Sequence, residues 1–325
     1  MKYSLLAVGI SLAVVANLPA DQKINDPLGH WIEKIHDPDT KVRGTAVVEL
    51  GKLGANAKLA VPAIAFRLET DKVAWVRLAA AGSLGKIGPE AREAVPSLIA
   101  ALNDTGFDVA HWSASALGKI GPGAKAAVPA LRKFLKSNVS SNFITEAVAL
   151  GQIGPDAKDA IPDLLEAAEK GMHSNYRYEP AYSLWAINQH KQAVPLLMKM
   201  LKDTWYHNAG TVAYSLGRIG PDAKEAVPAL EHLLRDPGSL VASQAALALW
   251  QISKHKNAIP TLIGLLKHES STERSHAAWR LGAIGPEAKE AIPALEEGLR
   301  HDRTYIPHYC LEALEKIDPN RAKKK

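Results

Sequence analysis

The chain has 325 residues, 47% of them apolar and 22% charged, which is globular composition and excludes wholesale disorder. A single cysteine, Cys310, excludes an intramolecular disulfide framework and every site that needs two cysteines. Thirty-nine Lys and Arg against 34 Asp and Glu leave a net charge of +5, mildly basic for the size and no argument for nucleic acid without one continuous basic stripe.

Residues 1–20 read MKYSLLAVGISLAVVANLPA. One lysine precedes an uncharged, mostly apolar run, Leu5 to Ala16, too short for the roughly 20 residues that span a bilayer. A basic start, a short apolar stretch and small residues near a cut site predict a signal peptide, cleaved after Ala16 or Ala20. The expected location is therefore periplasmic or extracellular, with no membrane insertion after cleavage. The expected organisation is a signal peptide (1–20), one repeat array (21–317) and a basic tail (318–325).

From Leu50 onward a phrase of the form Leu-Gly-x-Ile-Gly-Pro recurs. Its leucine stands at Leu50, Leu84, Leu117, Leu150, Leu184, Leu216, Leu249, Leu281 and Leu314, at spacings of 32 to 34 residues. An isoleucine, or Leu53, follows three residues later each time. A fixed period of this length is the signature of a stacked repeat array. In the second repeat, Val76, Ala80, Leu84 and Ile87 share one helical face. Gly88-Pro89 then ends that helix, and Pro96 falls in the first turn of the next. Each repeat thus predicts two helices, and no alternating strand pattern occurs. One hairpin this small cannot bury its apolar stripe, whereas stacked neighbours can.

These phrases resemble the HEAT-repeat family, specifically the short bacterial HEAT-like repeats also found in phycobilisome lyases. The resemblance implies an all-α fold: an α-solenoid, a right-handed superhelix of about nine two-helix repeats. It also implies an aspartate at the turn between the two helices and Val-Arg early in the second. Asp37, Asp71, Asp104, Asp203 and Asp236 match, as do Val42-Arg43 and Val76-Arg77, while Arg177 and Arg274 keep only the arginine. The expected role of these charges is turn capping and pairing between repeats, broken in mid-array. The fifth and seventh repeats replace the Gly-Pro loop by a sequence one residue shorter and carry Trp185 and Trp250 where glycine stood. Those rings are expected to fill the vacated space.

The resemblance places the second helices on the concave side. Positions two, five, six and nine residues before the marker leucine lie opposite it on the helix. They hold Trp75, His111, Trp112, Tyr178, Tyr182, His207, Tyr214, His276, Trp279, Tyr305, His308 and Tyr309. Eight of the chain's 19 aromatic residues fall in these columns, and such amphipathic side chains suit a binding surface. The candidate partner-binding residues are His111, Trp112, Tyr178, Tyr182, His207, Tyr214, His276, Trp279, Tyr305 and His308.

Catalytic and cofactor motifs are missing from the sequence: no Walker loop, GxSxG or HExxH occurs. His276 and His308 supply two ligand types without a third, so no metal or other cofactor is expected. One His-Glu dyad, His268-Glu269, falls short of the several that HEAT-like deoxyhypusine hydroxylases use to hold iron. Cys310 reads as a small core residue. Lys52, Lys86, Lys119, Arg218 and Lys316 recur two residues after the marker leucine. They read as solvated helix-end cations favoured by the helix dipole, and no nucleic-acid partner is expected. The sequence therefore favours an exported, non-enzymatic scaffold that binds a protein or peptide along its concave face. The alternative is a HEAT-like lyase or other enzyme acting on a small molecule in that groove.

Overall fold

The computed structural model describes residues 27–137, 144–170, 178–203, 208–236, 239–301 and 306–320. The signal peptide expected over 1–20 lies outside them. The chain divides into two compact bodies, Met1–His190 and Lys191–Lys325. All regular structure among the described residues is helical.

In the first body, α1 (Pro27–Lys34) leads into α2 (Thr40–Lys52), α3 (Val61–Thr70), α4 (Ala74–Ile87), α5 (Val95–Ala101), α6 (Phe107–Ile120), α7 (Val128–Ser137), α8 (Ile144–Ile153), α9 (Ile161–Lys170) and α10 (Tyr178–Asn188). In the second are α11 (Ala193–Asp203), α12 (Ala209–Ile219), α13 (Val227–Leu233), α14 (Ser239–Ser253), α15 (Ala258–Leu265), α16 (Ser271–Ile284), α17 (Ile292–His301) and α18 (Ile306–Ile317). The even-numbered helices carry the marker leucines, and every one of those leucines is buried, as are the isoleucines one turn on. Within each body successive marker helices pack on one another, and the odd-numbered helices pack behind them.

The Gly-Pro phrase builds more than a stop. Gly88, Gly121, Gly154, Gly220 and Gly285 take φ between 71° and 79°, a conformation that glycine alone adopts without penalty. The proline after each does not end the helical path; it opens a seven-residue turn of 3₁₀ helix, such as Gly88–Ala94 or Gly121–Ala127. Proline suits that place because the first residues of a helix have no partner for an N–H. The turn repeats about every three residues, so alanines spaced by three share a side: Ala91 and Ala94, or Ala124 and Ala127, are fully buried. In the repeats lacking Gly-Pro the helix runs one residue longer and a side-chain residue takes the left-handed position, Gln189 (φ 55°) or Lys254 (φ 53°). Each makes the same closing bonds: the N–H of Gln189 to the Trp185 carbonyl (2.6 Å), and that of Lys254 to the Trp250 carbonyl (2.9 Å). Trp250 packs against the core cluster of Ala246, Leu262, Ala278 and Leu281, filling space as expected.

The glycine directly after the marker leucine sets how closely repeats stack. A Cβ placed on it would stand 2.8–3.2 Å from the Cα of the residue that precedes the next marker: Gly51 on Ser83, Gly85 on Ala116, Gly118 on Ala149, Gly151 on Ser183, Gly217 on Ala248 and Gly282 on Ala313. Real Cβ atoms do not reach the lower end of that range. Where the partner is serine, its hydroxyl donates to a carbonyl of the preceding marker helix: Ser83 to Val47 (2.8 Å) and Ser183 to Ala147 (2.7 Å).

The aspartates and arginines tie turns together. Arg43 Nη1 donates to the carbonyls of Asp37 (3.0 Å) and Pro38 (2.8 Å) in its own turn, and Nε reaches Asp71 Oδ2 of the next repeat at 2.9 Å. Arg77 repeats this, donating to the Asp71 carbonyl (2.9 Å) and, with both remaining arms, to Asp104 (2.7 and 2.8 Å). The third repeat has Ala110 where the arginine would stand, which interrupts the ladder there. Arg274 holds its own turn, at the carbonyls of His268 (2.6 Å) and Glu269 (2.7 Å). On the odd-helix side Arg132 of α7 pairs with Asp163 of α9 at 2.5 Å.

Two outcomes follow from this packing. Gly118→Ala should destabilise the protein by about 1–3 kcal/mol through overpacking, although alanine is the better helix former by about 1 kcal/mol. Gly264→Ala, at an exposed position of α15 with nothing within 4 Å of the added carbon, should be neutral or stabilising; denaturant unfolding of the two variants reads the contrast. Burial alone would raise the Asp71 pKa, but the Arg43 hydrogen bond, the Val73 N–H and the Arg43 and Arg67 charges outweigh it and hold the carboxyl below its ordinary value. The Arg77 hydrogen bond does the same for Asp104. Depressed carboxylates stabilise the fold fully above the ordinary Asp value of about 3.9, and that contribution disappears as pH falls through their own lower values. Melting temperature against pH should therefore drop on the acid side, and Asp71→Asn with Asp104→Asn should flatten that limb.

Candidate partner-binding face

The columns opposite the marker leucine are the open face of the marker helices. Seven large apolar side chains are exposed among the described residues, and five lie in these columns: Trp75 (44%), Trp112 (44%), Tyr214 (39%), Leu240 (41%) and Trp279 (43%). Leu240 enters because it stands nine residues before Leu249. It is apolar but not aromatic, so a search for aromatic residues passes over it. His308 is also exposed, while His111, Tyr178, Tyr182 and His276 are half-buried. His207 and Tyr305 lie outside the described residues.

The glycines explain how large rings sit on this face. Trp75 on α4 covers Gly44 on α2 so closely that a Cβ there would overlap the ring. Trp112 on α6 lies across Gly82 on α4, 3.3 Å from where a Cβ would be. Each ring is therefore covered on one side by the preceding repeat and open on the other. Behind Trp112, His111 stacks edge-on against Phe134 of α7 (5.3 Å between centroids), with its Nε2 3.6 Å from the fully buried Glu146 of α8. Tyr182 contacts Trp185 one turn along α10 (6.1 Å). In the second body Tyr214, Trp279 and His308 stand on α12, α16 and α18, with Leu240 on the intervening α14. Within each body these side chains stand on separate marker helices. Among the described residues no three His, Cys, Asp or Glu side chains are placed to hold a metal ion.

Two features escaped the sequence reading. The cations two residues after the marker leucine occupy this same face, as Arg218 shows by lying 5.8 Å over the Tyr214 ring. The signal was available, since those positions fall within the same helical arc as the aromatic columns. The other is Arg280, only 4% exposed, in the position that elsewhere carries the small residue facing the preceding glycine. The preceding repeat has Trp250 in place of that glycine, so the substitution breaks the close-packing rule on both sides together. Arg280 donates to the His276 carbonyl at 3.2 Å, and burial, only partly offset by Glu273, lowers its pKa to about 10. Cys310 is fully buried, as a core residue should be.

A family model for HEAT repeats matches residues 28–118, 68–151, 161–250 and 239–315. The chain belongs to the HEAT-repeat family. No curated protein matches its sequence. Among solved structures the HEAT-repeat chain is similar to Kap95p in complex with RanGDP, at 13% identity over 98% of this chain and 53% of that one, with a TM-score of 0.53. It is also similar to an engineered protein (22% identity, 96% and 94% covered, TM-score 0.43) and to the CpcE–CpcF phycocyanin lyase of Nostoc sp. PCC7120 (24%, 93% and 98%, 0.36).

An open ring contributes little to folding, whereas the marker leucines are fully enclosed. Trp112→Ala and Trp279→Ala should each cost about 1 kcal/mol or less, and Leu117→Ala and Leu281→Ala about 2–5 kcal/mol. Thermal melts of the four variants beside the parent decide it: tryptophan variants melting as early as the leucine variants would make these rings core.

Proposed function

We propose that this HEAT-repeat protein is an exported, non-enzymatic scaffold that binds a protein or peptide partner on the open face of its marker helices. The observation that supports this reading is the concentration of exposed large apolar side chains on that one face. Exposed rings rimmed by polar residues mark interaction sites, and interface energy concentrates in Trp and Tyr anchors. Trp75 and Trp112 are held by the preceding repeat before a partner arrives, so little ordering entropy is lost on binding. Kap95p, which shares the fold, binds the protein RanGDP. Export rests on residues 1–20 alone.

Two measurements test the reading. Residues 1–20 fused to alkaline phosphatase should direct the reporter out of the cytoplasm. Partners captured by the full chain should be lost, at least tenfold, by a variant combining Trp75→Ala, Trp112→Ala, Tyr214→Ala and Trp279→Ala that keeps the parent's circular dichroism. Retention of capture by that variant would place binding elsewhere.

A further inference from the structure

We propose that the marker-helix face of the first three repeats is a docking track for an extended acidic peptide whose carboxylates recur every third residue. The inference rests on the partner-binding reading and narrows it to one chemistry.

On α4 two glycines one turn apart support side chains from α6. Trp112 crosses Gly82, and the methylene stem of Lys119 crosses Gly85, 3.4 Å from where its Cβ would be. Lys86 rises from α4 one turn beyond Gly82. Trp75 repeats the arrangement over Gly44 on α2, and Lys52 ends that helix. The result is a row of ammonium groups near the C-terminal ends of three adjacent helices, with the Trp112 ring one turn from the Lys119 stem on the α4 floor.

The charge on this track is one-sided. Lys86 and Lys119 are exposed, and neither has a carboxylate within 4 Å among the described residues. Lys52 is joined to Glu49 at 2.6 Å. Lys41 adds a fourth cation at the start of α2, and Asp108 in the first turn of α6 is the exposed acid in these columns. In the second body Gln251 and Ala283 replace two of the corresponding cations, and Lys316 is closed by Glu312 at 2.7 Å. The first repeats therefore hold adjacent cations, Lys86 and Lys119, without a carboxylate partner among the described residues.

Spacing identifies the occupant. Packed helices stand about 8–10 Å apart, and a polyproline II chain turns once every three residues while advancing about 3.1 Å per residue, so each repeat meets one turn and every third side chain faces the track. Carboxylates at every third residue fall on Lys52, Lys86 and Lys119, with an apolar side chain beside Trp112, whose ring shares the α4 glycine floor with the Lys119 stem. A nucleic-acid strand carries a phosphate about every 3.4 Å along its axis, and one lysine per repeat leaves most of those unmatched.

The test measures fluorescence anisotropy of labelled probes with the full chain. The probes are a peptide of four Glu-Leu-Ser triplets, the same residues in an order without the three-residue period, the Gln-Leu-Ser counterpart, and oligothymidylate of equal length. The phased acidic peptide should bind tightest and weaken as salt rises. Lys86→Glu with Lys119→Glu should weaken it at least tenfold while leaving the melt unchanged, since both heads are exposed; Trp112→Ala should weaken it as well. Equal binding of the unphased peptide, indifference to the lysine changes, or preference for oligothymidylate would each overturn the proposal. Equal binding of the Gln-Leu-Ser peptide through Trp112 would overturn the acidic chemistry yet leave peptide binding on this face intact. Failure of every peptide to bind would overturn the track, while capture lost by the four-ring variant above would still uphold the broader reading.

Discussion

The fold depends on a contact that involves almost no side chain. After the marker leucine comes a glycine, and the backbone of the next marker helix, at a serine or alanine, settles directly onto it. Close approach lets the leucines on either side enclose one another completely, so that the buried stripe runs from repeat to repeat. Such a solenoid is stabilised by nearest-neighbour interfaces, so a rule obeyed at each interface governs the array. Both residues of the pair must stay small, because an added methyl on either side meets backbone and not a movable side-chain end.

At the seventh and eighth repeats the rule lapses on both sides together. The seventh repeat has Trp250 in place of the glycine, a longer marker helix, a left-handed Lys254 and no 3₁₀ turn. The residue that should be small in the eighth repeat is Arg280. Lys254 links the altered parts: its ammonium lies 4.7 Å over the Trp250 ring and 2.7 Å from Glu287 in the following 3₁₀ turn. A buried arginine is costly by itself, and it occurs where Trp250 has already replaced the close-packing glycine of the preceding marker helix. The Asp–Arg ladder behaves differently. It joins turns and not helix faces, so its interruption at Ala110 leaves the leucine stack around Leu117 fully buried.

The repeats, the two-helix unit and the buried leucine column were legible in the sequence because each is a local signal: a helical period, a left-handed glycine, a proline in a first turn. The open face was legible for the same reason, since Trp75, Trp112, Tyr214 and Trp279 are placed by their distance from the marker leucine within one helix. The Arg43–Asp71 and Arg77–Asp104 pairs could also be read, as the turn register repeats. What could not be read depends on the neighbouring repeat. Nothing local to Gly44 says that Trp75 covers it, and nothing local to Arg280 says that it is buried. The 3₁₀ turn was missed because Gly-Pro was read as the end of a helix, whereas proline at that point removes only an N–H that has no partner there.

The same small residues that permit stacking also shape the face that solvent meets. Gly82 and Gly85 leave a shallow floor on α4, and the side chains of α6 lean back across it instead of projecting freely. The pattern recurs beyond the first repeats: Gln152 lies over Gly118, Gln251 over Gly217 and the Lys316 stem over Gly282. A long polar side chain laid on a glycine floor has its stem fixed by backbone geometry, which offsets part of the rotamer entropy that a free lysine would lose on pairing. Its head group is then displayed at the spacing of the helices. Face chemistry can accordingly vary from repeat to repeat, lysine in one and glutamine in another, without disturbing the stack beneath, because the floor and the leucine column are set by residues that point elsewhere.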